Sequence, residues 1–310
     1  MPFQNRRHTL FLLLLLAVIL PVAQAGEQRP FLWEIEGETT SYMFGTIHLP
    51  DERVLALPAP VRAAFSASDA IYTEIPLDMI TQLKASAAIL LPEGESLRAL
   101  LGPDLARRAT AYVESKERDM DLFDRFTIWS FMLQLTLLDD YEKFLTGVPM
   151  DFSLYQQAVA DGKQVAGLET LEEQLSLFTD LPTPDQAELL SQTLDQLESL
   201  QEKNESPAEQ IIRIYLSGDL KALMEETLAS TDMDSEVSRR FMDSLLKQRN
   251  LRMADRMAAL LQKQPETSFF FAVGAAHFAG DDGLPTLLKQ HGFKVHRLGA
   301  QPQPSPVALP

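Results

Sequence analysis

The chain has 310 residues, of which 45% are hydrophobic and 23% charged, so it can form one large domain or two ordinary ones with a buried core. Its net charge of −17 argues against sequence-independent binding to nucleic acid or to an anionic membrane surface, because both need a cationic face. The absence of cysteine excludes disulfides, cysteine nucleophiles, zinc–thiolate sites and iron–sulfur clusters.

The first 25 residues have the pattern of a secretory signal peptide. Arg6 and Arg7 precede an apolar run from Leu10 to Val22, and an Ala-Gln-Ala sequence follows at residues 23–25. As a helix this run would span only about 20 Å, which is short for a hydrocarbon core of about 30 Å. We therefore expect cleavage after residue 25, no stable membrane anchor afterwards, and a periplasmic or secreted protein; the alternative is an uncleaved N-terminal anchor.

Six short segments have the composition of β-strands, because each is rich in apolar, aromatic or β-branched residues and is bounded by glycine, proline or a polar turn. The predicted strands are Phe31 to Glu36, Ser41 to Thr46, Ala70 to Ile75, Gln164 to Leu168, Ser268 to Val273 and Phe293 to Leu298. Strands separated by long helical segments are typical of an α/β fold.

The segments between the predicted strands are helical in pattern. Leu122 to Phe144 is heavily apolar, and Asp234 to Gln262 has the pattern of one long amphipathic helix. The run of helices at about residues 184–262 could be a lid or a helical subdomain inserted into the α/β core. Residues 299–310 are rich in proline and low in charge, which is typical of a disordered end.

Two Gly-x-x-His motifs lie 229 residues apart, and each ends an apolar strand. The first is Gly45 to His48 and the second is Gly274 to His277. Two further predicted strands are followed by Glu74 and Glu169. Ligands bind at the carboxyl ends of strands in α/β sheets, so these four side chains are candidates for one shared site.

Imidazole and carboxylate are the usual donors for a borderline divalent metal when thiolate is absent. We therefore predict a set of catalytic residues that also bind Zn²⁺, Mn²⁺ or Co²⁺: His48, Glu74, Glu169 and His277. The structural alternative is that the histidines are merely hydrogen-bonded and that Glu74 caps a helix or lies at the surface.

Three other acidic residues occur near helix starts. Asp151 follows a turn, and this position favours a helix N-cap over a site carboxylate. Glu172 and Glu173 fall in the first turn of a helix, where the helix dipole favours acids, so we interpret them as structural.

Arg249 and Asn250 lie in the middle of a predicted helix, where polar side chains usually face water. If that helix faces the pocket, both residues are candidates for substrate binding. Arg249 could then hold a substrate carboxylate or a developing anion.

Several familiar catalytic signatures are missing from the sequence. It contains no His-Glu-x-x-His, Gly-x-Ser-x-Gly, Walker loop or Gly-x-Gly-x-x-Gly motif. This argues against thermolysin-like peptidases, α/β-hydrolase esterases, nucleotide hydrolases and dinucleotide enzymes.

Segments from about residue 31 to residue 298 resemble, in order, the TraB/PrgY/GumN family. They are GTIHLP, YTEIP, PMDFSLYQQAVADGKQVAGLETLEEQL, KQRNLRMADRM and FFFAVGAAHFAGDDGLPTLLKQHGFKV. The family is similar to Tiki-type metalloproteases and related to erythromycin-esterase and ChaN-like proteins. The resemblance implies a mixed central sheet flanked by helices. Together with the run of helices described above, it predicts a single α/β domain over residues 26–298 with a largely helical insertion. It also points to the four residues above, with Arg249 and Asn250 as neighbours.

Two functions are compatible with these observations. The first is an exported metal-dependent hydrolase, most simply of peptide bonds, in which one glutamate serves as general base. A related version without metal would use a histidine, tuned by a glutamate, to activate water. The second is a non-catalytic periplasmic protein that binds a small ligand or, by analogy with ChaN-like proteins, haem.

Overall fold

The structure is a computed structural model that describes residues 29–229 and 231–299. The predicted signal peptide and the tail from residue 300 onward lie outside the described residues. The mixed sheet is confirmed, with the order β4-β3-β5-β2-β1-β6. Its strands are β1 (Leu32–Glu36), β2 (Ser41–Thr46), β3 (Ala70–Thr73), β4 (Gln164–Gly167), β5 (Phe269–Gly274) and β6 (Lys294–Arg297). Strands β4, β3, β5 and β2 run parallel, whereas β1 is antiparallel to both of its neighbours.

Helices cover both faces of this sheet and form a separate layer beyond it. They are α1 (Glu52–Leu55), α2 (Ala59–Ala67), α3 (Met79–Ala88), α4 (Leu97–Ser115), α5 (Ile128–Leu135), α6 (Tyr141–Thr146), α7 (Met150–Ala160), α8 (Leu171–Thr179), α9 (Thr183–Glu202), α10 (Pro207–Ser217), α11 (Leu220–Ala229), α12 (Glu236–Met242), α13 (Arg249–Lys263) and α14 (Leu284–Gln290). Within the described ranges, no helix is both long enough and apolar enough to cross a membrane.

The central strand β5 is buried on both faces, which explains its unbroken apolar sequence. Side chains alternate along a strand, so Phe269 and Phe271 pack toward α13 and α14, while Phe270 packs toward α2 and α7. The two halves of the core therefore meet on this strand.

A second hydrophobic core lies away from the sheet, between α4, α5 and α9. Leu97 and Phe131 come from the chain between β3 and β4, whereas Leu190 and Leu194 come from the chain after β4. The helical layer is therefore built from two stretches of chain, and the region predicted at about residues 184–262 contributes α9 and α12 to it. Helices α10, α11 and α13 of that region pack on the sheet core instead.

The predicted single helix from Asp234 to Gln262 is interrupted. Helix α12 passes into a π-helical turn over Asp243–Gln248, and α13 begins directly after it at Arg249. A π-turn rotates the residues that follow it relative to a continuous α-helix. The apolar pattern on either side is helical, so periodicity alone does not reveal this change of register.

We expect Phe271→Ala to lower the free energy of unfolding by about 3–5 kcal/mol, because the ring is fully buried in the sheet core. The matched control is Leu251→Ala on α13, whose side chain is partly exposed and should cost less than about 1 kcal/mol. Urea unfolding of both variants measures the difference. Equal losses would contradict the assignment of β5 to the centre of the core.

Candidate active site

Four parallel strands end at one edge of the sheet, and each delivers a predicted site residue there. Thr46 lies opposite Gly274 in the β2–β5 pair, and Thr73 lies opposite Gly167 in the β3–β4 pair. Since the registers are level, the residues after these strands emerge close together. They are His48 after β2, Glu74 after β3, Glu169 after β4 and His277 after β5.

A buried carboxylate contacts the Nδ1 atom of His48. Its Nδ1 lies 2.5 Å from Oδ2 of Asp151, and Oδ1 of Asp151 accepts a hydrogen bond from the Thr46 hydroxyl. The His48 side chain is 64% exposed, and its Nε2 lies 3.8 Å from Oε1 of Glu74. The negative charge of Asp151 raises the pKa of His48 to about 9.

His277 is buried and is oriented by an amide. Nδ2 of Asn250 donates to the backbone carbonyl of Asp282, so Oδ1 of Asn250 faces the imidazole, 2.6 Å from its Nδ1. Burial lowers the pKa of His277 to about 4, which makes the ring neutral at pH 7. Nδ1 therefore carries the single proton, and Nε2 presents a lone pair.

Glu74 lies between the two histidines. Its Oε1 accepts a 2.7 Å hydrogen bond from the backbone N–H of Gly274 and lies 3.8 Å from Nε2 of His48. Its Oε2 accepts from Gln174 and from Arg249. Burial by itself would raise the pKa of Glu74, but the neighbouring His277 and Arg249 reverse this effect and hold it well below its usual range.

Arg249 is buried and joins the two glutamates. Its Nε donates to Oε2 of Glu169 at 2.8 Å, its Nη2 donates to Oε2 of Glu74 at 2.5 Å, and its Nη1 lies 3.1 Å from Nε2 of His277. The other oxygen of Glu169 pairs with Arg252 at 3.2 Å. Both oxygens of Glu169 are thus engaged by guanidinium groups, and its side chain is fully buried.

Gly274 leaves open space in front of these groups. A β-carbon at this position would lie 3.1 Å from Oε1 of Glu74, 3.5 Å from Nε2 of His48 and 3.7 Å from Cδ2 of His277. The three side chains therefore converge on the space beside Gly274, a small hollow that the β-carbon of any other residue would enter.

The fit of this hollow to a divalent metal is partial. Within the described ranges, no cluster of three or more histidine or acidic side chains is arranged to hold an ion. The donor types are nevertheless suitable, since Nε2 of His48 and Oε1 of Glu74 face the same space. Because the pKa of His48 is about 9, its Nε2 must lose a proton before it can ligate an ion. Each imidazole also has its Nδ1 fixed by an oxygen acceptor, as in histidines that ligate metals through Nε2. The third donor, Nε2 of His277, already accepts from Arg249.

Three expectations about individual residues change. Asp151 is not the N-cap of α7, because that position is Pro149; Asp151 lies in the first turn and contacts His48 instead. Arg249 and Asn250 do not face water, and their hydrogen bonds go to other residues of the site and to the Asp282 carbonyl rather than into open space. Glu169 contacts two arginines, an arrangement that the sequence does not predict, and its predicted ligand role stays a prediction.

The structural role predicted for Glu173 is confirmed. It forms a capping box with Thr170 at the start of α8 and pairs with Arg256. This cap fixes the chain directly after Glu169. Gln174, which the sequence analysis missed, lies in the same helix and donates to Glu74.

Comparison with known proteins places this geometry in a family. The model of the TraB/PrgY/gumN family matches residues 31–297. The chain belongs to this family. No solved structure matches it.

Among curated proteins, the chain is similar to Metalloprotease TIKI2 of Danio rerio, with 32% identity over 332 aligned positions, and to Metalloprotease TIKI1 of Homo sapiens, with 29% identity over 325. These alignments cover 91% and 89% of this chain but 63% of each TIKI protein, so the chain spans less than two thirds of these relatives' length. Uncharacterized protein YbaP of Shigella flexneri is 25% identical over 256 positions, which cover 82% of this chain and 90% of that protein.

We expect Asp151→Asn to shift the pKa of His48 from about 9 down toward its ordinary value of 6.5, because the carboxylate charge is the main cause of the shift. A folded-state pKa raised in this way means that the pair stabilises the fold fully below about pH 6.5 and that this contribution is lost as the pH rises through about 9. Between about pH 6.5 and pH 9, the free energy of unfolding should therefore fall less in the variant than in the wild-type chain.

NMR titration of the His48 ring in the presence of a chelator measures this pKa. Glu36→Gln is the matched control, because Glu36 contacts the exposed His296 on β6. An unchanged His48 pKa in Asp151→Asn would contradict the assigned contact.

Proposed function

We propose that this chain is a metal-dependent hydrolase that acts on peptide bonds. The observation that carries the proposal is the hollow at Gly274, where two imidazoles and one carboxylate meet at the carboxyl ends of parallel strands. Similarity to proteins named as metalloproteases supports the reaction class.

His48, Glu74 and His277 would hold the ion, with Zn²⁺, Mn²⁺ or Co²⁺ as candidates. When bound, such an ion would polarise the scissile carbonyl and acidify a water molecule. We assign Glu169 to a different task, because its two oxygens are engaged by Arg249 and Arg252.

The remaining residues act by positioning. Asp151 and Asn250 hold the Nδ1 atoms of the two imidazoles, so each ring presents Nε2 to the site. Glu169 anchors Arg249, which in turn orients Glu74. The exposed side chain of His48 is where we expect a substrate to approach from solvent. We further propose that the protein acts in the periplasm or after secretion, on the basis of the pattern of residues 1–25.

We expect His48→Ala and His277→Ala each to lower the affinity for divalent metal by more than about 100-fold, since loss of a ligand should cost more than loss of an outer-shell partner. Protein stripped with a chelator and reconstituted with Zn²⁺, Mn²⁺ or Co²⁺ is assayed for bound metal and for cleavage of a peptide library. His296→Ala is the matched control, because His296 lies exposed on β6 and contacts Glu36.

Metal retention unchanged in both site variants would contradict the proposal. So would a haem Soret band together with no metal-dependent cleavage of any peptide, which would favour the ligand-binding alternative.

We expect Gly274→Ala to reduce metal affinity and peptide cleavage on the order of 100-fold, although it removes no donor atom, because a methyl group would displace the surrounding side chains. Gly37→Ala is the matched control, since a β-carbon there also meets its nearest atom, the Thr39 carbonyl oxygen, at 3.1 Å. Full activity of Gly274→Ala would show that the hollow is not where the reaction occurs.

A further inference from the structure

Arg249 occupies a donor atom that a metal ion at this site would need, because its Nη1 donates to Nε2 of His277. Its Nη2 donates to Oε2 of Glu74, whereas Oε1 is the oxygen that lies near His48. The His277 contact matters most, because a neutral imidazole whose Nδ1 carries the proton has one lone pair, on Nε2. That lone pair cannot serve Arg249 and a metal ion at the same time.

Arg249 is also a resident positive charge beside Glu74. A buried carboxylate needs a cationic or hydrogen-bonding partner, and Arg249 supplies one without any ion. Glu169 anchors the guanidinium through Nε and Nη2, so Nη1 is the nitrogen whose contact can be released at least cost.

We propose that Arg249 competes with the metal ion for Nε2 of His277. Arg249 must release this atom before the ion can be fully bound. This inference rests on the proposed function, because it concerns the same site. Release of Nη1 leaves the ion pairs of Arg249 with both glutamates in place. The arginine therefore sets how tightly and how fast the ion binds, and an ion with a strong preference for imidazole would displace it most readily.

Binding of Co²⁺ alone to chelator-treated protein tests this inference by calorimetry and by visible absorption. We expect Arg249→Met to bind Co²⁺ at least about tenfold more tightly than the wild-type chain, because no hydrogen bond to a charged group has to be broken. In this variant Glu169 still accepts a hydrogen bond from Arg252. Glu74 still accepts hydrogen bonds from Gln174 and from the backbone N–H of Gly274.

Arg252→Met is the matched control. Arg252 pairs with the other oxygen of Glu169, so its loss removes a guanidinium from the same carboxylate while leaving the Arg249 contact with His277. The affinity of this control for Co²⁺ should stay within about threefold of the wild type.

If the Arg249→Met variant does not fold, Arg249→Lys tests the same inference. A single ammonium group keeps a positive charge near the glutamates but cannot make all three contacts of the guanidinium. We expect it, too, to bind Co²⁺ more tightly than the wild type. Stopped-flow absorption of the wild-type chain adds a kinetic readout, since a required release of Arg249 makes the binding rate level off at high Co²⁺ concentration.

The outcomes separate this inference from the proposed function. Tighter binding by the Arg249 variants, or binding by them alone, supports the competition. Equal or weaker binding by those variants, with normal binding by the wild type, overturns the competition and leaves the hydrolase proposal standing. No Co²⁺ binding by any variant or by the wild type overturns the metal-dependent function and this inference with it.

Discussion

The arrangement of the site depends on a buried guanidinium shared by two carboxylates. Glu74 and Glu169 follow neighbouring strands, and the backbone N–H of Glu169 donates to the backbone carbonyl of Glu74, so two acidic side chains are forced close together. Two buried like charges at this separation would be strongly unfavourable without a cation between them. Arg249 provides that cation, and its position in turn depends on the π-helical turn that ends at Gln248.

Sequence patterns identified most of the fold, because the strands of this protein are short apolar runs with clear boundaries. The observed strands lie within one or two residues of the predicted ones, and the capping box at Thr170 and Glu173 is recognisable from residue types alone. The two Gly-x-x-His motifs and the glutamates after strands indicated a shared edge of the sheet, and the structure brings these side chains together there. Their chemical roles stay predictions.

The contacts that decide those roles could not be predicted from the sequence. The two glutamate partners of Arg249 are 175 and 80 residues away from it along the chain, and a mid-helix arginine gives no sign of being buried. The π-turn is equally hidden, because an apolar helical pattern fits it as well as it fits a regular helix. The site contact of Asp151, which the sequence offers only as the alternative to an N-cap, is hidden for a similar reason, because an acidic residue at a helix start has the same pattern whatever it contacts.

The pairing of β2 with β5 joins the beginning of the described chain to its end. His48 is synthesised early and His277 late, so a ribosome-bound or truncated chain that lacks β5 has neither the second imidazole nor the glycine that shapes the hollow. Long-range pairing of this kind also forms slowly, because a long loop must close first. The site can therefore exist only after β5 has been synthesised and has paired with β2.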